Sequence, residues 1–146
     1  MRAGLDPVWI LNNMTEVIAA TAAPNFMLAE GQECSGALQA VNDMLVSSYT
    51  GVLRLFDSWP AAEDASFTSL RAKGGFTVSA SLRGGIVAPV TVASEAGESC
   101  SMLSPWAAGL SVIDSAGRKV DAVNIGGGVW GWATTAGVVY TVSAAA

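Results

Sequence analysis

Three observations predict a mainly β chain, an antiparallel β-sandwich preceded by an N-terminal helical hairpin. Phe76, Val78, Ala80 and Leu82 alternate strictly with Thr77, Ser79 and Ser81, the two-residue period of a half-buried strand. Turn formers recur at short, regular spacing after residue 50: Gly84-Gly85, Glu95 to Glu98, Asp114 to Gly117 and Thr134 to Gly137. That spacing calls for about eight to ten short strands. Helical periodicity, in contrast, is confined to the first 50 residues. The division expected is therefore 1–50, a two-helix segment, and 51–146, the sandwich.

Asp6-Pro7 opens the first helix, because Asp accepts from orphan N–H groups and Pro suits the first helical position. Val8, Leu11, Met14 and Ile18 share one face, with Val17 beside it, and the helix should fade before Pro24. Residues 24–33 read as a loop. Ser35 is the candidate N-cap of a second helix, whose stripe of Ala37, Leu38, Val41, Met44 and Leu45 runs out around Ser48 to Gly51. Val52 to Phe56 is a short strand, Asp57 to Asp64 a connection, and Phe67 to Ala72 the next strand. Phe76 to Leu82 turns at Gly84-Gly85, where positive φ costs glycine little. Val87 to Ala93 returns, and Pro89 within it predicts an edge position or a bulge, since Pro cannot donate to a ladder. Cys100 to Met102, Leu110 to Ile113, Lys119 to Val123, the Trp130 segment and Val138 to Val142 complete the strands, with Tyr140 on the face of Val138 and Val142.

The composition excludes several classes of function. Of 146 residues, 51% are hydrophobic and 13% charged, with a net charge of −5, so there is ample material for a core and little sign of disorder. The seven Lys and Arg are scattered and form no basic block, which leaves nucleic-acid binding without an electrostatic basis. No run approaches the roughly 18 uninterrupted apolar residues of a membrane span. Asn12, Asn13 and Glu16 interrupt the only run resembling a signal peptide, so no export signal is visible and localisation stays open. There is no His, which removes the commonest general base and neutral metal ligand. Neither a metal nor a cofactor is expected. Gly126-Gly127-Gly128 is not followed by the Lys-Ser/Thr of a phosphate loop and reads as a flexible turn. Cys34 and Cys100 lie in different elements, which leaves both a disulfide and two buried thiols open.

Two kinds of chemistry remain. Carboxylates can work in pairs across a glycosidic bond, and aromatic rings can stack on the C–H faces of sugars. Trp59, Trp106, Trp130 and Trp132 are the candidate rings. Trp130 and Trp132 share a face under strand alternation and form the candidate carbohydrate-binding pair; their alternative role is to fill the core.

One stretch carries a family resemblance. Leu70-Arg71-Ala72-Lys73-Gly74-Gly75-Phe76-Thr77-Val78-Ser79-Ala80 is followed by Gly84-Gly85, Ser94-Glu95-Ala96-Gly97 with Cys100, and Pro105-Trp106. Upstream stand Asn42 to Ser48, Gly51 to Phe56 and Trp59-Pro60. In order and spacing, roughly residues 30 to 110 resemble the C-terminal part of glycoside hydrolases of family 95, the α-L-fucosidase-like enzymes. The resemblance implies that the two helices match the last hairpin of an (α/α)6 catalytic barrel and that the sandwich braces it. Most of that barrel, including its principal acid and base, has no counterpart in this sequence. In that family the loop before the second helix carries a carboxylate at the barrel mouth, and by resemblance Glu33 is the candidate catalytic residue here. The fucosidase branch has Asp and Asn in this loop, from which Cys34 and Ser35 depart.

The function expected is the C-terminal part of a family-95-like glycoside hydrolase, inactive on its own, with a stand-alone carbohydrate-binding module as the alternative. Carbohydrate is the expected ligand class. Helices with wide apolar faces and no barrel to cover them predict a homo-oligomer.

Overall fold

A computed structural model describes residues 6–21, 23 and 35–145. Its elements, in chain order, are α1 (Pro7–Thr21), α2 (Ser35–Leu45), β1 (Val46–Ser47), β2 (Arg54–Leu55), β3 (Ala65–Ala72), β4 (Phe76–Arg83), β5 (Ile86–Val87), β6 (Val90–Ser94), β7 (Cys100–Leu103), β8 (Leu110–Asp114), β9 (Lys119–Val120), β10 (Ala122–Gly126), β11 (Val129–Trp132) and β12 (Val139–Ala144). The chain is mainly β, its strand pairs are antiparallel, and the helices come first. No helix among the described residues is long and apolar enough to cross a membrane.

The larger sheet has the order β3-β4-β6-β12-β8-β9, with β5 also beside β4. The smaller is β10-β11-β7, and β1 and β2 form a separate ribbon joining the helical segment to the sandwich. The alternation on β4 is real: Phe76, Val78, Ala80 and Leu82 are buried. Val78, Val92 and Tyr140 form one inward rung, and Val90, Val142 and Val112 the next. From the smaller sheet, Cys100, Met102 and Trp132 meet them in a single core. Full burial of each such aliphatic side chain contributes about 1.5–3 kcal/mol.

Pro89 falls in the gap between β5 and β6. It interrupts the return strand, so β6 pairs centrally without a missing ladder donor. The strand β3 holds a feature that the alternation did not predict. Phe67 opposes Ala80 and Leu70 opposes Val78, so Thr68 and Ser69 together face one residue, Ser79. This bulge resets the side-chain phase. Without it Leu70 would point away from the face that Phe67 uses; with it both pack on the core. Ser69 pays for the reset with a left-handed backbone, φ 59°, held by donation of its N–H to Ser79 Oγ at 2.9 Å.

The N-terminus of α1 is capped as expected: Asp6 Oδ1 accepts from the Val8 N–H at 3.0 Å, and Ile10 N–H donates to Asp6 O. Leu11, Met14 and Ile18 are half-buried, yet no residue of α1 is fully buried, and Val8, Trp9 and Val17 are exposed. The helix α2 is shorter than its stripe predicts. It stops at Leu45, where the chain turns into β1, and Met44 is buried.

The β8–β9 turn is closed by Asp114. Its carboxylate accepts from the backbone N–H groups of Arg118 and Ala116 and from Arg118 Nε. The Arg118 backbone hydrogen bond above all, with help from the Arg118 side chain and the Ala116 N–H, holds the Asp114 carboxyl below the ordinary carboxylate range, against the opposing effect of desolvation. A depressed folded value means that this stabilisation is complete above the unfolded carboxylate range, about pH 4, and is lost as pH falls through the folded value. Asp114→Asn should therefore melt below the parent at neutral pH, and the gap should close on acidification. Thermal melts across pH would show it; a gap independent of pH would contradict the assignment.

Candidate functional site

The two tryptophans of β11 face the interior together, as alternation requires. Trp132 lies opposite Cys100 and Ala122, and Trp130 opposite Met102 and Asn124. They divide in exposure. Trp132 is 3% exposed and belongs to the core, because β7 and β10 flank it and the larger sheet lies beneath. Its indole N–H has no hydrogen-bond partner among the described residues. Trp132 touches a shallow cleft on the outer side of β11, but at 3% exposure it offers no stacking face; of the predicted pair, Trp130 is the ring with surface to offer.

Trp130 is half-buried at the end of the seam between the sheets. Its six-membered ring lies over Gly109, which has φ +86°. With Trp106, Ser104, Asn124 and Gly128 it lines a cleft of about 390 Å³. Trp106 is fixed there: its Nε1–H donates to Val87 O at 2.9 Å, and its backbone N–H donates to Ser104 Oγ at 3.2 Å. Asn124 Oδ1 accepts from the Gly126 N–H, which leaves the amide NH2 as the donor the cleft can use. Ser104 Oγ also donates to Trp106 O, so its hydroxyl is engaged; two indole surfaces and an amide are a set able to hold an apolar ring face that carries hydroxyls. Trp106 was a candidate from composition alone. Asn124 had no sequence signal, since only strand register brings it beside Trp130.

No catalytic constellation accompanies this cleft. Glu95 is engaged by Arg71 and Thr77, and these hydrogen bonds, Arg71 first, hold its carboxyl below the usual range. Among the described residues no group of three or more Cys, Asp or Glu is placed to hold a metal ion. Cys100 is buried with a free thiol, and desolvation pushes its pKa up to about 12, so it is inert as a nucleophile. Glu33, the carboxylate assigned by resemblance, and Cys34 lie outside the described residues.

No protein-family model matches the chain, and a search of curated proteins finds no similar sequence.

Proposed function

We propose that this chain acts as the C-terminal, non-catalytic part of a family-95-like glycoside hydrolase, a β-sandwich that braces a helical barrel and turns over no glycoside alone. The observation that supports this most is α1. It is a 15-residue helix without one buried side chain, although Val8, Trp9 and Val17 are apolar and each about half exposed. Exposed apolar surface of this kind gains from cover, and the reading supplies it from barrel helices or, in the isolated chain, from a second copy. Light scattering coupled to gel filtration tests this. A dimer or larger species is expected, reverting to monomer in Trp9→Ser/Val17→Glu, with no turnover of aryl fucosides or galactosides. A monomeric parent would overturn the bracing role. Turnover that disappears in Glu33→Gln would overturn the inactivity.

The Trp106–Trp130 cleft favours a second reading, carbohydrate binding without turnover. Its indole surfaces and the Asn124 amide support it; in the ¹⁵N titration with methyl pyranosides described below, the Trp130 indole N–H signal should shift, and a signal that stays unmoved would overturn this reading.

A further inference from the structure

A second cleft is larger than the one at Trp106 and Trp130. It lies between α2 and the bulged edge of β3, measures about 540 Å³, and falls within the roughly 300–1,000 Å³ typical of small-molecule sites. Its walls are about equally polar and apolar, with Val46 and Leu70 among the polar groups. Gln39, Asn42 and Asp43 come from one face of α2, at the i, i+3 and i+4 spacing that aligns side chains; Tyr49, Ser69 and Lys73 complete the ring.

These groups are arranged rather than merely adjacent. Gln39 Nε2 donates to Asp43 Oδ1 at 3.0 Å, which orients the carboxylate and leaves Oδ2 to accept. The Lys73 backbone N–H donates to Ser48 Oγ at 2.9 Å, which ties that end of β3 to the segment before Tyr49. The bulge that keeps Leu70 on the core also sets Ser69 in the cleft wall. Tyr49, 74% exposed, holds a flat apolar ring beside these groups.

The charges decide the ligand class. Asp43 and Lys73 cancel, and the Arg71 guanidinium is committed to Glu95. The cleft therefore has no strong preference for an ion of either sign. What it offers is a carboxylate acceptor, an amide that both donates and accepts, a hydroxyl, an ammonium donor and an aromatic ring. Neighbouring hydroxyl groups, each a donor and an acceptor, match that set, and the Tyr49 ring favours a cyclic carrier with an apolar face.

We propose that the α2–β3 cleft is a binding site for a neutral polyhydroxylated ring of monosaccharide size, with Asp43 and Asn42 taking adjacent hydroxyls and Tyr49 stacking on the ring face. The site stands apart from the bracing role and from the Trp106–Trp130 cleft, so each can fail without the others.

The test is a titration of the full, ¹⁵N-labelled chain, followed by NMR. The probes are methyl galactopyranoside, methyl fucopyranoside, sorbitol as the acyclic polyol, and glucuronate as the anion. Either pyranoside should shift the side-chain amide signals of Asn42 and Gln39, with a dissociation constant of about 1–10 mM. Tyr49→Ala and Asp43→Ala should each weaken binding by about fivefold or more, within the loss expected of one removed contact. Trp130→Ala should leave the Asn42 and Gln39 shifts intact. All three variants are checked for folding by the dispersion of the same spectra. The site assignment is overturned if neither pyranoside shifts those amides, if the shifts survive both Tyr49→Ala and Asp43→Ala, or if only glucuronate binds. Sorbitol binding as tightly as the pyranosides would overturn the stacking role of Tyr49. The bracing role is read separately, from the mass in solution.

Discussion

Replacing Gly109 by alanine should destabilise the sandwich by about 3 kcal/mol, more than its small size change suggests. Two effects add. Its φ is +86°, and forcing an L-residue into the left-handed region costs roughly 1–2 kcal/mol. An added Cβ would also lie 2.5 Å from Trp130 Cζ2 and 3.1 Å from Cε2. The indole is rigid and half-buried, so the whole ring must shift, and overpacking of this kind typically costs about 1–3 kcal/mol. Gly117 separates the two contributions. It has φ +77° and open space where a Cβ would stand, so Gly117→Ala should show the backbone cost alone. Denaturant melts of both variants decide it. If Gly109→Ala were no worse than Gly117→Ala, the packing of Trp130 on Gly109 would be wrong.

Met102→Ala should be comparably damaging, by about 2–5 kcal/mol. Met102 has no exposed surface and sits where three elements meet. Its strand pairs with β11 on one side, and on the other Leu53 forms a parallel bridge through Leu53 N–H to Ser101 O and Leu103 N–H to Leu53 O. Truncation leaves a cavity that backbone on both sides prevents from collapsing. At roughly 2–4 °C per kcal/mol for a domain of about this size, thermal unfolding should fall by about 10 °C. Met102→Leu, which nearly conserves volume, should lose less than about 1.5 kcal/mol. Equal losses in the two variants would show that Met102 is not held in a packed site.

What was legible in the sequence followed local periodicity. The β4 alternation, the Asp6 cap and the glycine turns are each decided within a few residues, and each forms where its pattern lies. The β3 bulge was not legible, because it answers to a distant requirement: Phe67 and Leu70 are an odd number of positions apart and both must reach the core. The pairing of Trp130 with Trp132 was half legible. Alternation correctly gives them one face, but only the packing of two sheets decides that Trp132 is interior while Trp130 reaches the rim. Neither cleft could be read from spacing. Asn124 and Trp106 are brought to Trp130 by strand register and a loop, and the polar face of α2 faces Ser69 only because the chain folds back through β1 and β2. The role assigned to Glu33 rested on resemblance alone.

The position of β12 has a consequence for how the protein comes into being. Residues 139–144 lie in the middle of the larger sheet, hydrogen-bonded to β6 on one side and β8 on the other. During synthesis, β3, β4 and β6 can form one hairpin stack and β8 with β9 another, but no strand hydrogen-bonds the two together until Tyr140 and Val142 have left the ribosome. Until then each half has an unsatisfied strand edge, the condition in which nascent chains associate wrongly. Completion of the core is thus a late event of high sequence separation, as is typical of slow-folding β topologies. A chain that stopped short of residue 139 would lack the keystone of its sheet, however much of its sequence were present.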